Sequence, residues 1–378
     1  MVAKCLLLCL ASTPVAGSCS QPAIRQAADE LIDARRSLLT IQQEEMDTRV
    51  PPAARQGILK LKDAIAHLAG AYMACRTDPL DAKQIELDLA ALVPATGDGK
   101  YGSSLSFKVA VTEDTRHLVS ITATFGIHCG SDAMLLIYAP RETSWAEVLR
   151  WQAPPYKQVS GGFWSFQHRI SPPDATGAWF VVTSHVMPWC SSTWSNIEYN
   201  ILRPGVKPKV LLKRSEWMWW GGEEFGTLAA SQNSADIRFY SASIDGGVHS
   251  RLFIRHYEIS GDSVKRVQPV AEMPRDFVDE WIVSPWTEAQ HWSAPGLGGF
   301  HRQAKKYASE FKSTQKCSDW PDTVQIGVTD IKTEGIPFYF RVTGQTSFTM
   351  AGIRTTPDPN CSGPNTWNPG QLNDSDVR

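Results

Sequence analysis

Two stretches near the start of the chain place apolar residues three or four positions apart, the spacing of one face of an α-helix. The first stripe consists of Ile24, Ala27, Leu31, Ala34, Leu38 and Ile41, and the second of Ile58, Leu61, Ile65, Leu68, Tyr72 and Cys75. Pro51 and Pro52 favour a helix start before the second stripe. Because only a short polar turn separates the stripes, we expect an antiparallel helical hairpin rather than a coil that binds a partner.

A third, shorter helix is predicted after the hairpin. Asp81 is a good N-cap for residues 81–92, in which Ile85, Leu89 and Leu92 form an apolar face. Pro94 and the Gly-rich residues after it then break the helical pattern. The pattern predicts a helical region over residues 18–94 and a linker over 95–103 that separates it from a second domain.

After Gly99 the pattern becomes strand-like, with short segments of β-branched and aromatic residues between turn residues. The candidate strands form three sets of four: 105–112, 118–125, 134–138 and 148–152; 163–170, 179–186, 196–202 and 209–213; 226–231, 237–243, 251–259 and 264–270. The sets recur at intervals of about 50 to 60 residues, which is typical of propeller blades.

This repeat gives the predicted fold class: α+β, mainly β, with an N-terminal antiparallel helical hairpin and a repeated antiparallel-meander, propeller-like all-β domain over residues 104–356. Middle strands such as Trp179-Phe180-Val181-Val182 carry consecutive apolar residues, as expected for a sheet covered on both faces. A large β-sandwich or a rolled meander fits the same pattern and is the alternative.

Residues 274–318 interrupt the strand pattern, and we predict a helical insertion there. Its helical stripe consists of Phe300, Ala304, Tyr307 and Phe311. Three more strands are predicted over residues 323–328, 337–343 and 347–353. We expect them to complete a fourth sheet with the strand near Val264, or to stand beside the first sheet and close a ring. Residues 357–378 are turn-rich and are predicted to form a tail.

The first residues have the layout of a secretory signal peptide. Lys4 precedes an apolar run, and the small residues Val15-Ala16-Gly17 offer a cleavage site before Ser18. We therefore expect a signal peptide over residues 1–17 and a secreted or periplasmic protein. A buried N-terminal helix is the weaker interpretation, because Pro14 breaks the run. Ala16-Gly17-Ser18-Cys19 also loosely fits a lipoprotein signal, which would anchor the protein through a lipid on Cys19.

Cysteine number favours the freely exported form. Cleavage after Gly17 leaves an even set, namely Cys19, Cys75, Cys129, Cys190, Cys317 and Cys361. Lipid attachment to Cys19 would leave one of these unpaired in an oxidising compartment. The helical hairpin brings Cys19 opposite Cys75, Cys129 and Cys190 occupy matching turns, and Cys317 and Cys361 bracket the last strands. We predict these three disulfides, and no spacing in the chain is that of a structural zinc site.

Charge and hydropathy exclude two classes of partner. Lys and Arg number 37 against 39 Asp and Glu, a net charge of −2, so the chain lacks the basic excess of a sequence-independent nucleic-acid binder. Beyond the N-terminus there is no run of about 18 apolar residues, so we expect no transmembrane segment in the mature chain.

Tryptophan is abundant, with 14 residues, and many of them cluster in the sequence. The predicted binding residues are Trp189, Trp194, Trp217, Trp219 and Trp220, which would form a Trp-rich rim beside a pair of glycines and two acids. Flat indoles with one N–H donor suit sugar rings or the surface of a cell-envelope protein. The alternative is that these rings simply fill the space between sheets.

Catalysis is the weaker hypothesis. A glycosidase needs two carboxylates across a cleft, and the candidates are Glu223, Glu224, Asp279, Glu280 and Glu288. Metal binding by Glu288, His291 and His301 is conceivable but has no specific spacing, so we predict no metal and no cofactor. His128, His168, His185, His249 and His256 are interpreted as surface or hydrogen-bonded core histidines. Nucleophile-elbow, phosphate-loop and dinucleotide motifs do not occur.

The sequence therefore predicts an exported, non-catalytic binding or scaffolding protein with carbohydrate or a cell-envelope protein as its partner. The alternative function is a carbohydrate-active hydrolase that uses paired carboxylates near the Trp-rich rim.

Overall fold

The computed structural model describes residues 20–41, 50–77, 80–95, 100–127, 130–153, 156, 165–187, 194–205, 207–219, 226–245, 250–319, 322–332 and 338–363. Within these ranges the helices are α1 (Gln21–Leu39), α2 (Pro52–Met73), α3 (Ala82–Ala91), α4 (Pro274–Val283), α5 (Trp286–Ala289) and α6 (Gly298–Tyr307). The chain divides into two compact units, Met1–Gly162 with Gly205–Pro208, and Phe163–Pro204 with Lys209–Arg378.

Sixteen strands within the described ranges form four antiparallel sheets, each with its strands in chain order. The first sheet is β1 (Ser106–Val111), β2 (Val119–Ile127), β3 (Gly130–Pro140) and β4 (Trp145–Gln152); the second is β5 (Ser165–Ile170), β6 (Val181–Met187), β7 (Trp194–Arg203) and β8 (Lys209–Trp219). The third is β9 (Thr227–Ala230), β10 (Ser234–Ser241), β11 (Arg251–Ser260) and β12 (Ser263–Arg266); the fourth is β13 (Ala308–Lys316), β14 (Thr323–Asp330), β15 (Phe338–Thr343) and β16 (Thr349–Arg354). The mainly β chain of repeated four-stranded meanders is thus confirmed.

In the first unit, α1 and α2 run antiparallel. Leu38 near the end of α1 packs on Gly57 near the start of α2, and Glu30 of α1 reaches His67 of α2 at 2.7 Å. The two apolar stripes lie in one core together with residues of β2 and β3, including Ile121. Because the helices cover one face of the first sheet, the hairpin does not need a partner to bury its apolar stripe.

The predicted linker over 95–103 does not separate two compact units, because the helices and the first sheet belong to the same unit. Arg35 of α1, itself buried, donates to the carbonyl oxygens of Gly102 at 2.7 Å and Pro94 at 2.5 Å. These charge-assisted hydrogen bonds fix the chain on both sides of the helix-breaking segment. The sequence marks the break in pattern correctly, but such a break does not reveal that the two patterns share a core.

The second unit contains the other three sheets. Residues of the second and third sheets, among them Ile197, Tyr199, Ile237 and Phe239, pack in one apolar core. Helix α4 packs with the fourth sheet through Phe277, Trp281 and other residues in a second core.

The fourth sheet corrects the sequence-based prediction. The helical stripe ends at Tyr307, and Phe311 lies in β13, which pairs with β14. The predicted helical insertion over 274–318 therefore ends earlier, and the strand near Val264 is β12, paired with β11 in the third sheet. Residues of β13 are mostly polar and its pairing contains two register shifts, so it lacks the regular alternation that identifies a strand.

Cys317 and Cys361 form a disulfide, as predicted. Asp358 and Cys361 are buried and Gly363 bridges to Lys316, so the first part of the predicted tail belongs to the folded unit. Cys75 is also disulfide-bonded. Its predicted partner Cys19 and the predicted pair Cys129–Cys190 lie outside the described residues and stay predictions. None of the described helices is long and apolar enough to cross a membrane.

Candidate functional site

The second sheet has two chemically different faces. Val182, Val186, Ile197, Ile201 and Met218 alternate onto the face that belongs to the apolar core. The residues between them lie on the opposite face, which we call the polar face. On β7 and β8 this face carries Trp194, Asn196, Glu198, Asn200, Lys213, Ser215, Trp217 and Trp219.

Three tryptophans lie at one end of the polar face. Trp194 pairs with Trp219 across β7 and β8, and Asn196 pairs with Trp217. Directly opposed side chains of this kind have Cβ atoms about 5 Å apart, and positions i and i+2 on one strand are about 7 Å apart. Trp217 is 55% exposed, while Trp194 and Trp219 are half-buried. We call Trp194, Asn196, Trp217 and Trp219 the aromatic end.

Next to the aromatic end, the polar face carries a charged cluster. Oε1 of Glu198 lies 3.0 Å from Nζ of Lys213 and 3.8 Å from Nε2 of His185. The His185 side chain is fully buried, whereas the Lys213 side chain is about half exposed. The Lys213 ammonium therefore offsets the charge of Glu198 on this face.

Exposed residues continue from the aromatic end along β8, the outer strand of the second sheet. Ser215 and Lys213 follow Trp217 on the same face, and both are exposed. The face therefore offers a flat indole and, beside it, an amide, a hydroxyl and an ammonium group. Such a mixed set of groups can stack on the apolar side of a ring and hydrogen-bond to its polar substituents.

Asp279 and Glu280, two of the predicted catalytic carboxylates, lie on α4 and are buried. Glu280 binds Nη2 of Arg251 at 2.9 Å, Nη1 of Arg255 at 2.9 Å and Nη2 of Arg266 at 2.8 Å. Burial by itself would raise the pKa of Glu280, but the three arginine charges outweigh it and hold the pKa well below its usual range. Glu280 thus anchors α4 to three arginines.

Asp279 is likewise held by protein groups. Its Oδ2 accepts from the Ser243 hydroxyl and from the backbone N–H of Ile244 at 3.1 Å, and it lies 3.2 Å from Nε of Arg251. Glu288, the third described candidate, pairs with Nη1 of Arg266 at 3.2 Å. Asp279 and Glu280 are both buried, and both are held by protein groups.

The conceivable metal set of Glu288, His291 and His301 does not come together among the described residues. His301 is buried, and its Nε2 lies 3.0 Å from the carbonyl oxygen of Trp281. Among the described residues, the metal-ligand side chains that do converge are those of Cys317, Asp319 and Cys361. The sulfur atoms of the two cysteines are bonded to each other and therefore do not bind a metal as thiolates.

The remaining predicted site residues lie outside the described residues, and their roles stay predictions: Trp189, Trp220, Glu223 and Glu224. His128 and His249 also lie outside them. Of the other histidines, His256 pairs with Asp236 at 2.5 Å, and His168 and His185 lie on the polar face.

Sequence reasoning identified the tryptophans but missed Asn196, Glu198, Lys213 and Ser215 beside them. Polar residues alternate with Ile197, Tyr199 and Ile201 along β7, and this period of two was the signal that these residues share a face. No protein-family model, curated protein or solved structure matches this chain. Its function must therefore be argued from the geometry alone.

Proposed function

We propose that this protein binds carbohydrate on the polar face of the second sheet, at the aromatic end. The observation that supports this proposal most is the exposed Trp217, which shares its face with Asn196 and Ser215. An exposed indole with hydrogen-bonding groups on both sides suits a sugar ring, which has apolar C–H faces and a rim of hydroxyl groups.

Binding is a better explanation of this face than hydrolysis. Hydrolysis of a glycosidic bond requires two carboxylates about 5 to 10 Å apart, one of which must hold a proton. Glu198 is the carboxylate of β7 and β8 on this face, and Lys213 and His185 lie beside it. Asp279 and Glu280 of α4 pair with Arg251. These pairings favour a non-catalytic role.

The same proposal includes where the protein acts and how its sheets are arranged. We infer export to the periplasm or the cell exterior from the layout of the N-terminus, with lipid anchoring at Cys19 as the alternative. We also infer that the repeated meanders are blades of a propeller-like domain. A carbohydrate ligand at the cell envelope is consistent with both inferences.

A glycan array probed with the full chain and with Trp217→Ala tests the proposal. We expect the wild type to bind a set of glycans and the variant to lose at least tenfold in affinity, because the stacking surface is removed. Tyr240→Ala is the matched control, since Tyr240 is an exposed aromatic residue on the third sheet. It should bind as the wild type does.

Two outcomes would count against the proposal. Absence of wild-type binding to every glycan would eliminate the carbohydrate ligand. Equal losses in Trp217→Ala and Tyr240→Ala would mean that glycans adhere to exposed aromatic rings generally and that the aromatic end is not a site.

A further inference from the structure

Helix α6 of the second unit has a basic exposed face. His301 and Ala304 are buried, whereas Arg302, Lys305 and Lys306 are exposed. Lys332, in the turn after β14, joins this face because its ammonium group donates to the hydroxyl of Tyr307 at 3.0 Å. We call Arg302, Lys305, Lys306 and Lys332 the basic face.

Within the part of the chain that the structure describes, ion pairs do not offset the charges of the basic face. None of its four side chains forms an ion pair with a carboxylate among the described residues, although Arg275 and Lys312 of the same unit are paired. Lys305 donates instead to the carbonyl oxygen of Val283 at 3.0 Å. In a chain whose net charge is −2, the basic face is a local concentration of positive charge.

The pKa of Tyr307 reflects the positive charge of the basic face. Hydrogen bonds from Lys332 and Lys306 lower the pKa of the Tyr307 phenol, since two ammonium groups favour its ionised form. Oδ1 of Asp330 accepts from the backbone N–H of Lys332.

Exposed apolar residues lie next to α6. Ile331 is 69% exposed, the largest value for a large apolar side chain among the described residues, and its backbone N–H donates to the carbonyl oxygen of Tyr307. Val283, whose carbonyl binds Lys305, is 38% exposed.

We propose that the basic face, with Ile331 and Val283, is a docking surface for a bilayer that contains anionic phospholipids. Cationic side chains bind phosphate headgroups, while apolar side chains beside them enter the boundary between headgroups and acyl chains. Charge complementarity favours an anionic partner, and the two flanking apolar residues favour a lipid surface over a soluble polyanion. This proposal is independent of the carbohydrate site.

Co-sedimentation of the full chain with vesicles tests the proposal. We expect binding to vesicles of phosphatidylcholine mixed with phosphatidylglycerol, weaker binding as salt is added, and little binding to phosphatidylcholine alone. Removing one cation should weaken partitioning about fivefold, so Lys306→Gln combined with Lys332→Gln should weaken it about 25-fold. Ile331→Ser should weaken it further because the apolar contact is lost.

The matched control combines Lys60→Gln with Lys108→Gln, which changes the net charge equally through two exposed lysines of the first unit. A loss as large as that of the Lys306 and Lys332 variant would overturn the assignment to the basic face. Absence of binding to anionic vesicles at low salt would overturn the proposal itself. Binding to a soluble sulfated polysaccharide that equals vesicle binding, with no effect of Ile331→Ser, would replace the lipid with a polyanion.

Discussion

Individual residues show how the same chemical group takes different roles in this protein. Glu280 and Asp276 both lie on α4 and both are buried, yet their surroundings shift their pKa values in opposite directions. Three arginines contact Glu280 and hold it ionised. For Asp276, burial is the main influence, and it raises the pKa to about 6 even though Arg251 acts against it.

Asp276→Asn should therefore make the protein more stable at neutral pH. Because the folded-state pKa of Asp276 lies above its ordinary value of 3.8, ionisation of this group opposes folding. The stabilising, protonated form is fully present below about pH 3.8 and is lost as the pH rises to about 6, at a cost of up to about 3 kcal/mol. Urea unfolding should give a gain for the variant at pH 7 and almost none at pH 4.

Glu280→Gln should change the stability in the opposite direction, because the pKa of Glu280 is lowered in the folded state. Ionised Glu280 therefore stabilises the fold at a pH above the ordinary pKa of the carboxyl group. This stabilisation is lost as the pH falls. The variant leaves three buried arginines without their shared anion, and we expect a loss of about 3 to 5 kcal/mol at pH 7. This account of α4 would be contradicted if Glu280→Gln left the stability unchanged, or if Asp276→Asn reduced the stability at pH 7.

At the scale of elements, α2 is fixed to the first sheet by a buried ion pair. The Lys62 ammonium lies 2.8 Å from Oδ2 of Asp132 on β3 and donates to the carbonyl oxygen of Ala153 at 3.2 Å. Both side chains are almost completely buried. Burial raises the pKa of Asp132, although the Lys62 charge acts in the opposite direction.

Lys62→Met should thus destabilise the first unit by about 3 to 5 kcal/mol at neutral pH, because it leaves a buried carboxylate unpaired. The loss should be smaller at acidic pH, where Asp132 can take up a proton. Adding Asp132→Asn removes the unpaired charge and should recover part of the stability at neutral pH. This explanation would be contradicted if the double variant lost more free energy of unfolding than the two single variants lose together.

The elements also show what sequence patterns can and cannot predict. The sequence pattern predicts the first twelve strands because their apolar residues lie between clear turn residues. β13 was missed because its residues are polar and its register is irregular, so Phe311 appeared to extend the stripe of α6. The polar partners of the tryptophans were missed because Glu198 and Lys213 are neighbours only through the pairing of β7 with β8.

At the scale of the whole molecule, the prediction of export depends on the N-terminus and the cysteines. Cys317–Cys361 is present in the structure, and a disulfide that closes a loop of this size stabilises the folded state by about 4 kcal/mol in the chain-entropy model. The other two predicted pairs involve cysteines outside the described residues.

Peptide mapping of exported protein without reductant tests these pairs together with the signal peptide. We expect linked peptides for Cys19–Cys75 and Cys129–Cys190, and a mature N-terminus at Ser18. A retained Met1 would contradict the signal peptide. A lipid on Cys19 would instead support the anchored form and exclude its pairing with Cys75.

The central claim is that a glycan stacks on the aromatic end of the second sheet. Hydroxyl-radical footprinting of the full chain, with and without a glycan bound at saturating concentration, locates the contact directly. We predict that the glycan protects Trp217 from oxidation and leaves Tyr240 unchanged. Bound glycan with undiminished oxidation of Trp217 would contradict the account, since the ring would then remain open to solvent.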